Sequence, residues 1–223
     1  MKENDYKKDG KTIPVKGGNM NIKRMNLPKM AKISQNWLDI LVLFSFDYNK
    51  RYSIKELANL VGIPQRTTSR YLDYLNELNL IDSKTIGRTR VFSLDTGKRE
   101  TFILINLIES YKALSYKSMP DLWIILDDFM QFGDIVLFGS YAKGYFTEDS
   151  DIDLLILSKR SKKAVEHTRL YSKDINIHFS TLNSFEKSLK QKNTLAIEIV
   201  RSHVVFGSAD FIKLCWRYYR NEL

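Results

Sequence analysis

FGSYAKGYFTEDSDIDLLIL, residues 138–157, decides the reading of this chain. An apolar run over 135–138 ends in Gly139-Ser140, ten turn-rich and polar residues follow, and Asp151-Ile152-Asp153 opens a second apolar run. The pattern predicts two buried strands. Gly139 has no Cβ, so the backbone can turn sharply there and come close to a ligand. Ser140 puts a hydroxyl at a predicted helix N-terminus, where free N–H groups and the helix dipole favour an anion such as phosphate. In a strand, residues i and i+2 share a face, so Asp151 and Asp153 project together while Ile152 enters the core. Two adjacent carboxylates repel each other unless a hard cation offsets their charge, and magnesium takes oxygen ligands. These residue types point to metal-assisted phosphoryl or nucleotidyl transfer. Phe206-Gly207-Ser208 repeats the first triplet with no Asp-x-Asp after it, so the weight of the reading rests on the carboxylates.

Gly-Ser, ten residues, Asp-x-Asp, with Gly144 and Ser150 inside the interval, resembles the nucleotidyltransferases of the DNA polymerase beta superfamily, especially the minimal nucleotidyltransferases of archaea and bacteria. The resemblance implies that Gly139 and Ser140 hold the phosphates of a nucleoside triphosphate, with ATP the expected one. It implies that Asp151 and Asp153 are catalytic and bind two Mg2+ ions. It also implies a third carboxylate on a later strand, which in active members completes the metal site and helps deprotonate the attacking hydroxyl.

Residues 174–180, DINIHFS, alternate as that half-buried strand, with Asp174, Asn176 and His178 on one face. The best-matching position holds Asn176, a neutral amide that is neither a base nor a strong magnesium ligand. Asp174 stands about 7 Å away along the same face. His178 has the chemistry of a base.

Upstream, an apolar helix is expected over 37–46, and Ser53-Ile54-Lys55-Glu56 has the Ser and Glu spacing of a capping box. Ile54, Leu57, Ala58 and Val61 supply a buried helical face. Gly62-Ile63-Pro64 makes a turn and restarts a helix, with Thr68, Leu72 and Leu75 inward. Gln65, Arg66, Thr67, Ser69 and Arg70 are left outside, where they suit phosphates and base edges. Residues 80–81 and 91–94 read as a hairpin whose tip, 84–90, carries Lys84, Arg88 and Arg90. A basic tip on a short hairpin resembles the wing of transcription regulators, so 34–96 is expected to be a winged helix-turn-helix that binds double-stranded DNA. Alternatively, the same module serves only dimer or domain contacts.

The expected fold class is therefore α+β: a basic, flexible tail over 1–33, the winged helix-turn-helix over 34–96, a linking helix over 97–118, and a nucleotidyltransferase-like mixed β-sheet with flanking helices over 119–223. The broad apolar side of the linking helix suits a homodimer as readily as a domain junction.

The chain has 223 residues, 43% of them hydrophobic, enough for a globular core. Its net charge of +9 is concentrated in residues 1–33, which hold nine Lys or Arg against three acids and favour an acidic polymer as partner. Met20, Met25 and Met30 are alternative starts. Cys215 is the only cysteine, which excludes an internal disulfide and fits a reducing, cytoplasmic setting. No apolar run reaches bilayer length, and no signal peptide is expected.

Three functions compete at this stage. The leading one is a Mg-dependent transferase that moves a nucleoside monophosphate to a hydroxyl on a protein, RNA or small molecule. The others are a DNA-binding regulator whose nucleotide domain has lost turnover, and an antitoxin-like nucleotidyltransferase.

Overall fold

The computed structural model describes residues 34–223. The expected tail and the three internal methionines lie outside the described residues.

Six elements make up the first part: α1 (Gln35–Leu43), β1 (Tyr52–Ser53), α2 (Ile54–Val61), α3 (Gln65–Glu77), β2 (Asp82–Ile86) and β3 (Thr89–Ser93). Helix α2 begins at the expected capping box: the Ser53 hydroxyl accepts from the Glu56 N–H, and the Glu56 carboxylate accepts from the Ser53 N–H. It ends at Gly62, whose φ of +75° suits a residue without a Cβ. Thr68, Leu72 and Leu75 are buried on the inner side of α3 as the spacing requires. The strands form a three-stranded antiparallel sheet in the order β1-β3-β2.

Two boundaries differ from expectation. Helix α1 stops at Leu43 instead of 46, because Ser45 donates back to the Val42 carbonyl and the Asp47 carboxylate accepts from the Asn49 N–H, drawing the backbone into turns. The first hairpin strand begins later and the second earlier than expected, and both run longer: Ile86 pairs with Thr89, so only Gly87-Arg88 forms the tip. Leu80 and Ile81 are not in the strand. Asn79 takes a left-handed φ of +56° after α3, and this turns Ile81 into the core.

The second part comprises α4 (Arg99–Ser115), α5 (Pro120–Phe129), β4 (Ile135–Phe138), α6 (Gly139–Lys143), β5 (Ile152–Ile156), α7 (Lys162–His167), β6 (Ile175–Phe179), α8 (Leu182–Lys190), α9 (Thr194–Arg201), β7 (Val204–Phe206) and α10 (Ala209–Tyr219). Its four-stranded sheet has the order β6-β5-β4-β7. Strand β4 is antiparallel to both β5 and β7, while β5 and β6 are parallel, so the sheet is mixed and the architecture is α+β.

The sheet has two apolar faces. Ile135, Leu137, Leu154, Ile156 and Phe206 pack with Leu126 and Phe129 of α5. Val136, Phe138, Leu155 and Val205 belong to a second core that runs on through Phe211 and Trp216 of α10 and Ile105 of α4 to Trp37 and Leu72. One continuous core thus joins both parts.

Inside it lies a buried polar cluster. The Tyr48 hydroxyl donates to Glu109 at 2.9 Å, the Lys112 ammonium sits 2.8 Å from the same carboxylate, and His203 Nε2 is 3.5 Å away. Burial would raise the Glu109 carboxyl, yet the charges of Lys112 and His203 hold it down at about 2. Burial, with Glu109 second, pushes the Tyr48 phenol well up.

Candidate active site

The register of β4, β5 and β6 builds the site. Phe138 pairs with Asp153, and Asp153 pairs with Asn176, so the glycine after β4, the Asp153 carboxylate of β5 and the amide of β6 fall on one line across the sheet, with Asp151 just before β5. Gly139 has φ +70°, and a Cβ placed there would lie 2.0 Å from Asp153 Oδ2. The bend and the Asp153 carboxylate are therefore in direct apposition, and only glycine leaves room for both.

Ser140 follows on α6, a helix of little more than one turn with no side-chain cap. Its first N–H groups lack helical partners, as at any helix start. The second triplet behaves differently. Gly207 abuts Asp134, and the Ser208 hydroxyl is taken up as the cap of α10, accepting from the Phe211 N–H.

Of the three polar residues on β6, the structure brings Asn176 to the carboxylates. Its Nδ2 donates to Asp151 Oδ2 and to Asp153 Oδ1, each at 3.2 Å. Asp174 is exposed, and its carbonyl accepts the Ile152 N–H. His178 pairs with Leu155, further along β5, and its ring lies 5.5 Å from the Phe138 ring. Among the described residues no group of three or more His, Cys, Asp or Glu converges on a metal-sized site.

The donor set still fits magnesium. Asp151 and Asp153 offer carboxylate oxygens side by side, as a hard cation requires, and the space beside Asp153 is kept open by Gly139. The amide protons of Asn176 now perform part of the cation's task by damping the repulsion of the two carboxylates.

Two cavities, of about 550 and 650 Å³, flank the sheet. Neither is lined by Asp151, Asp153 or Asn176; Asp151 and Asn176 are exposed and Asp153 is half-buried.

In the first part of the chain, Gln65, Arg66 and Arg70 are exposed on α3, and Lys84 and Arg88 on the hairpin. Ser69 donates to Asp73 at 3.2 Å. Arg90 lies in β3, where its guanidinium is 2.5 Å from Asp73, donates to Ser83 and stacks over the Phe92 ring. Arg90 thus ties the hairpin to α3.

Sequence reasoning missed the Arg90–Asp73 tie and the link between the Lys143 ammonium of α6 and Glu198 of α9, at 2.6 Å. Neither has a local signal, since their members are far apart in the chain.

Residues 125–205 match the model of the nucleotidyltransferase domain family. A protein of Methanocaldococcus jannaschii named "Putative protein adenylyltransferase MJ1305" is 32% identical over 118 residues, covering 44% of this chain and 78% of that protein. A second from the same organism, MJ0604, bears the same description and is 32% identical over 89 residues, covering 40% of this chain and 69% of that one. Among solved structures, Sso10a-2, a DNA-binding protein from Sulfolobus solfataricus, covers 42% of this chain and 97% of its own at 15% identity. Its TM-score of 0.29 is too low to carry an argument. No helix of the described residues is long and apolar enough to cross a membrane.

Proposed function

The chain belongs to the nucleotidyltransferase family, and from that premise we propose that it transfers a nucleoside monophosphate from a triphosphate to an acceptor hydroxyl. The observation that carries this reading is the apposition of Gly139 with Asp153, whose carboxylate shares the Asn176 amide with that of Asp151. In the proposed site Gly139 and Ser140 hold the phosphates, and Asp151 and Asp153 would hold the magnesium. Bound there, magnesium would neutralise the phosphate oxygens and the charge that grows on them in the transition state.

The acceptor oxygen forms a bond to the α-phosphorus, the bond from that phosphorus to the bridging oxygen breaks, and pyrophosphate leaves. The hydroxyl proton goes to water at this exposed end of the sheet, because the Asn176 amide cannot take it. The names of the two relatives favour ATP and a protein hydroxyl.

We further infer that residues 34–96 are a winged helix-turn-helix holding double-stranded DNA, with 97–118 as the link and 119–223 as the transferase domain. Support comes from the exposed Gln65, Arg66 and Arg70 on α3 and Lys84 and Arg88 on the hairpin.

Purified protein given magnesium and ATP labelled at the α-phosphate should label itself or a protein of its host lysate, and Asp151→Asn should abolish the labelling. Undiminished labelling by that variant would overturn the assignment. Asn176 supports a second reading, a DNA-binding regulator that senses nucleotides with little turnover. ATP-dependent DNA binding without labelling of any acceptor is its signature.

A further inference from the structure

Helix α4 has 17 residues, about 25 Å of helix, and two apolar sides. Leu104, Ile105 and Ile108 face the core. On the opposite side Ile103, Leu107 and Leu114 are 72%, 41% and 58% exposed. With Ser110 between them, these positions repeat at intervals of four, three and four, the spacing of a coiled-coil seam. The polar groups along this seam are spent on their own helix: the Ser110 hydroxyl donates to the Asn106 carbonyl at 2.8 Å, and the Asn106 amide donates to the Phe102 carbonyl at 2.7 Å. Placing this face against apolar surface would therefore find the Ser110 hydroxyl proton and one Asn106 N–H already partnered.

Charge tells what covers it. Glu100 is exposed at one end of the seam, and Lys117, whose ammonium lies 5.2 Å over the Trp123 ring, is exposed just past the other. Two copies of α4 laid antiparallel place Ile103 against Leu114, Leu107 against Ser110 and Glu100 against Lys117, each pairing occurring twice about a two-fold axis. A parallel pairing would set Glu100 against Glu100 and Lys117 against Lys117. We propose that the seam is the interface of a two-fold homodimer built on antiparallel α4 helices. The occupant is a second copy of this chain, and nucleotidyl transfer is not needed for the argument. If residues 34–96 do bind DNA, the dimer presents two reading helices related by the same axis, which suits a palindromic site.

The test uses the full chain. Light scattering coupled to gel filtration at micromolar concentration should give about 52 kDa, twice the 26.1 kDa chain. Leu107→Glu should halve that mass without lowering the thermal midpoint of the monomer, since the residue is exposed. Orientation is read by disulfide trapping, in which the buried Cys215 takes no part. Ile103→Cys mixed with Leu114→Cys should give a covalent dimer, whereas either variant alone should not, because like positions stand about 16 Å apart along the antiparallel pair. A monomer at all concentrations, a dimer indifferent to Leu107→Glu, or cross-linking by a single variant alone would each overturn the proposal.

Discussion

Substituting Gly139→Ala separates two effects that usually arrive together. The added Cβ meets Asp153 Oδ2 at 2.0 Å, so the carboxylate must retreat by about 1.4 Å to reach the 3.4 Å where ordinary contact begins. The φ of +70° adds strain of about 1–2 kcal/mol for a residue with a side chain. Gly144→Ala is the matched control: its φ is +79°, and a Cβ there has nothing within 4 Å. Both variants should lose about 1–2 kcal/mol of stability in urea titrations. Only Gly139→Ala should lose the reaction, by about 100-fold, the cost expected when a reacting group is misplaced by about 1 Å. The assay is the rate of label transfer from ATP with magnesium, beside the thermal shift given by magnesium and a nonhydrolysable triphosphate. Equal transfer rates in the two alanine variants would show that the position of the Asp153 carboxylate next to the bend does not matter, and the proposed site would be wrong.

Asn176→Asp replaces the amide that donates to both aspartates with a third carboxylate. Without metal its thermal midpoint should fall slightly, and magnesium should raise that midpoint more than in the parent; an equal magnesium response in both would refute the role given to the amide. Glu109→Gln should cost about 3–5 kcal/mol in urea unfolding, because it leaves the Lys112 charge buried without its partner. In the parent, the Glu109 carboxyl is held below its ordinary 4.5, so its contribution is complete above that value and is lost as pH falls from about 4.5 to about 2. Tyr48, Lys112 and His203 face that carboxylate, and a urea midpoint flat across this window would contradict the ion cluster. Replacing Arg66 or Arg70 by alanine should weaken duplex binding uniformly across sequences and reduce the salt slope by about one each. Arg90→Ala should instead lower stability, since its guanidinium holds Asp73 and Ser83.

What could be read from the sequence was what is local. The capping box from Ser53 to Glu56 spans four residues, and both of its hydrogen bonds are present in the structure. The nearness of Asp151 and Asp153 follows from their spacing; Asp151 stands just before β5, and the Asn176 amide reaches both carboxylates. The choice among Asp174, Asn176 and His178 was not local, because it depends on how β6 is registered on β5, a pairing between residues more than twenty positions apart. Arg90 looked like one more tip residue because its partner Asp73 lies on another element. The full length of the hairpin has no local mark, since nothing near Leu80 and Ile81 tells a strand start from a loop that dives into the core. Helix α4 was legible as broadly apolar, but which half would meet the rest of the protein was decided by elements well before and after it.

The shared core also limits how this chain can be rebuilt. Phe102 stacks on Trp216 at 4.8 Å, and Tyr48 meets Tyr219 at 4.9 Å, so α10 is wall material for α4 and for the turn after α1. A chimaera that borrowed only residues 34–96 would strip Tyr48 of Glu109, His203 and Tyr219. A transplantable cassette has to bring α4 and α10 along, which makes residues 34–96 and the last described helix a single unit of inheritance for any engineer.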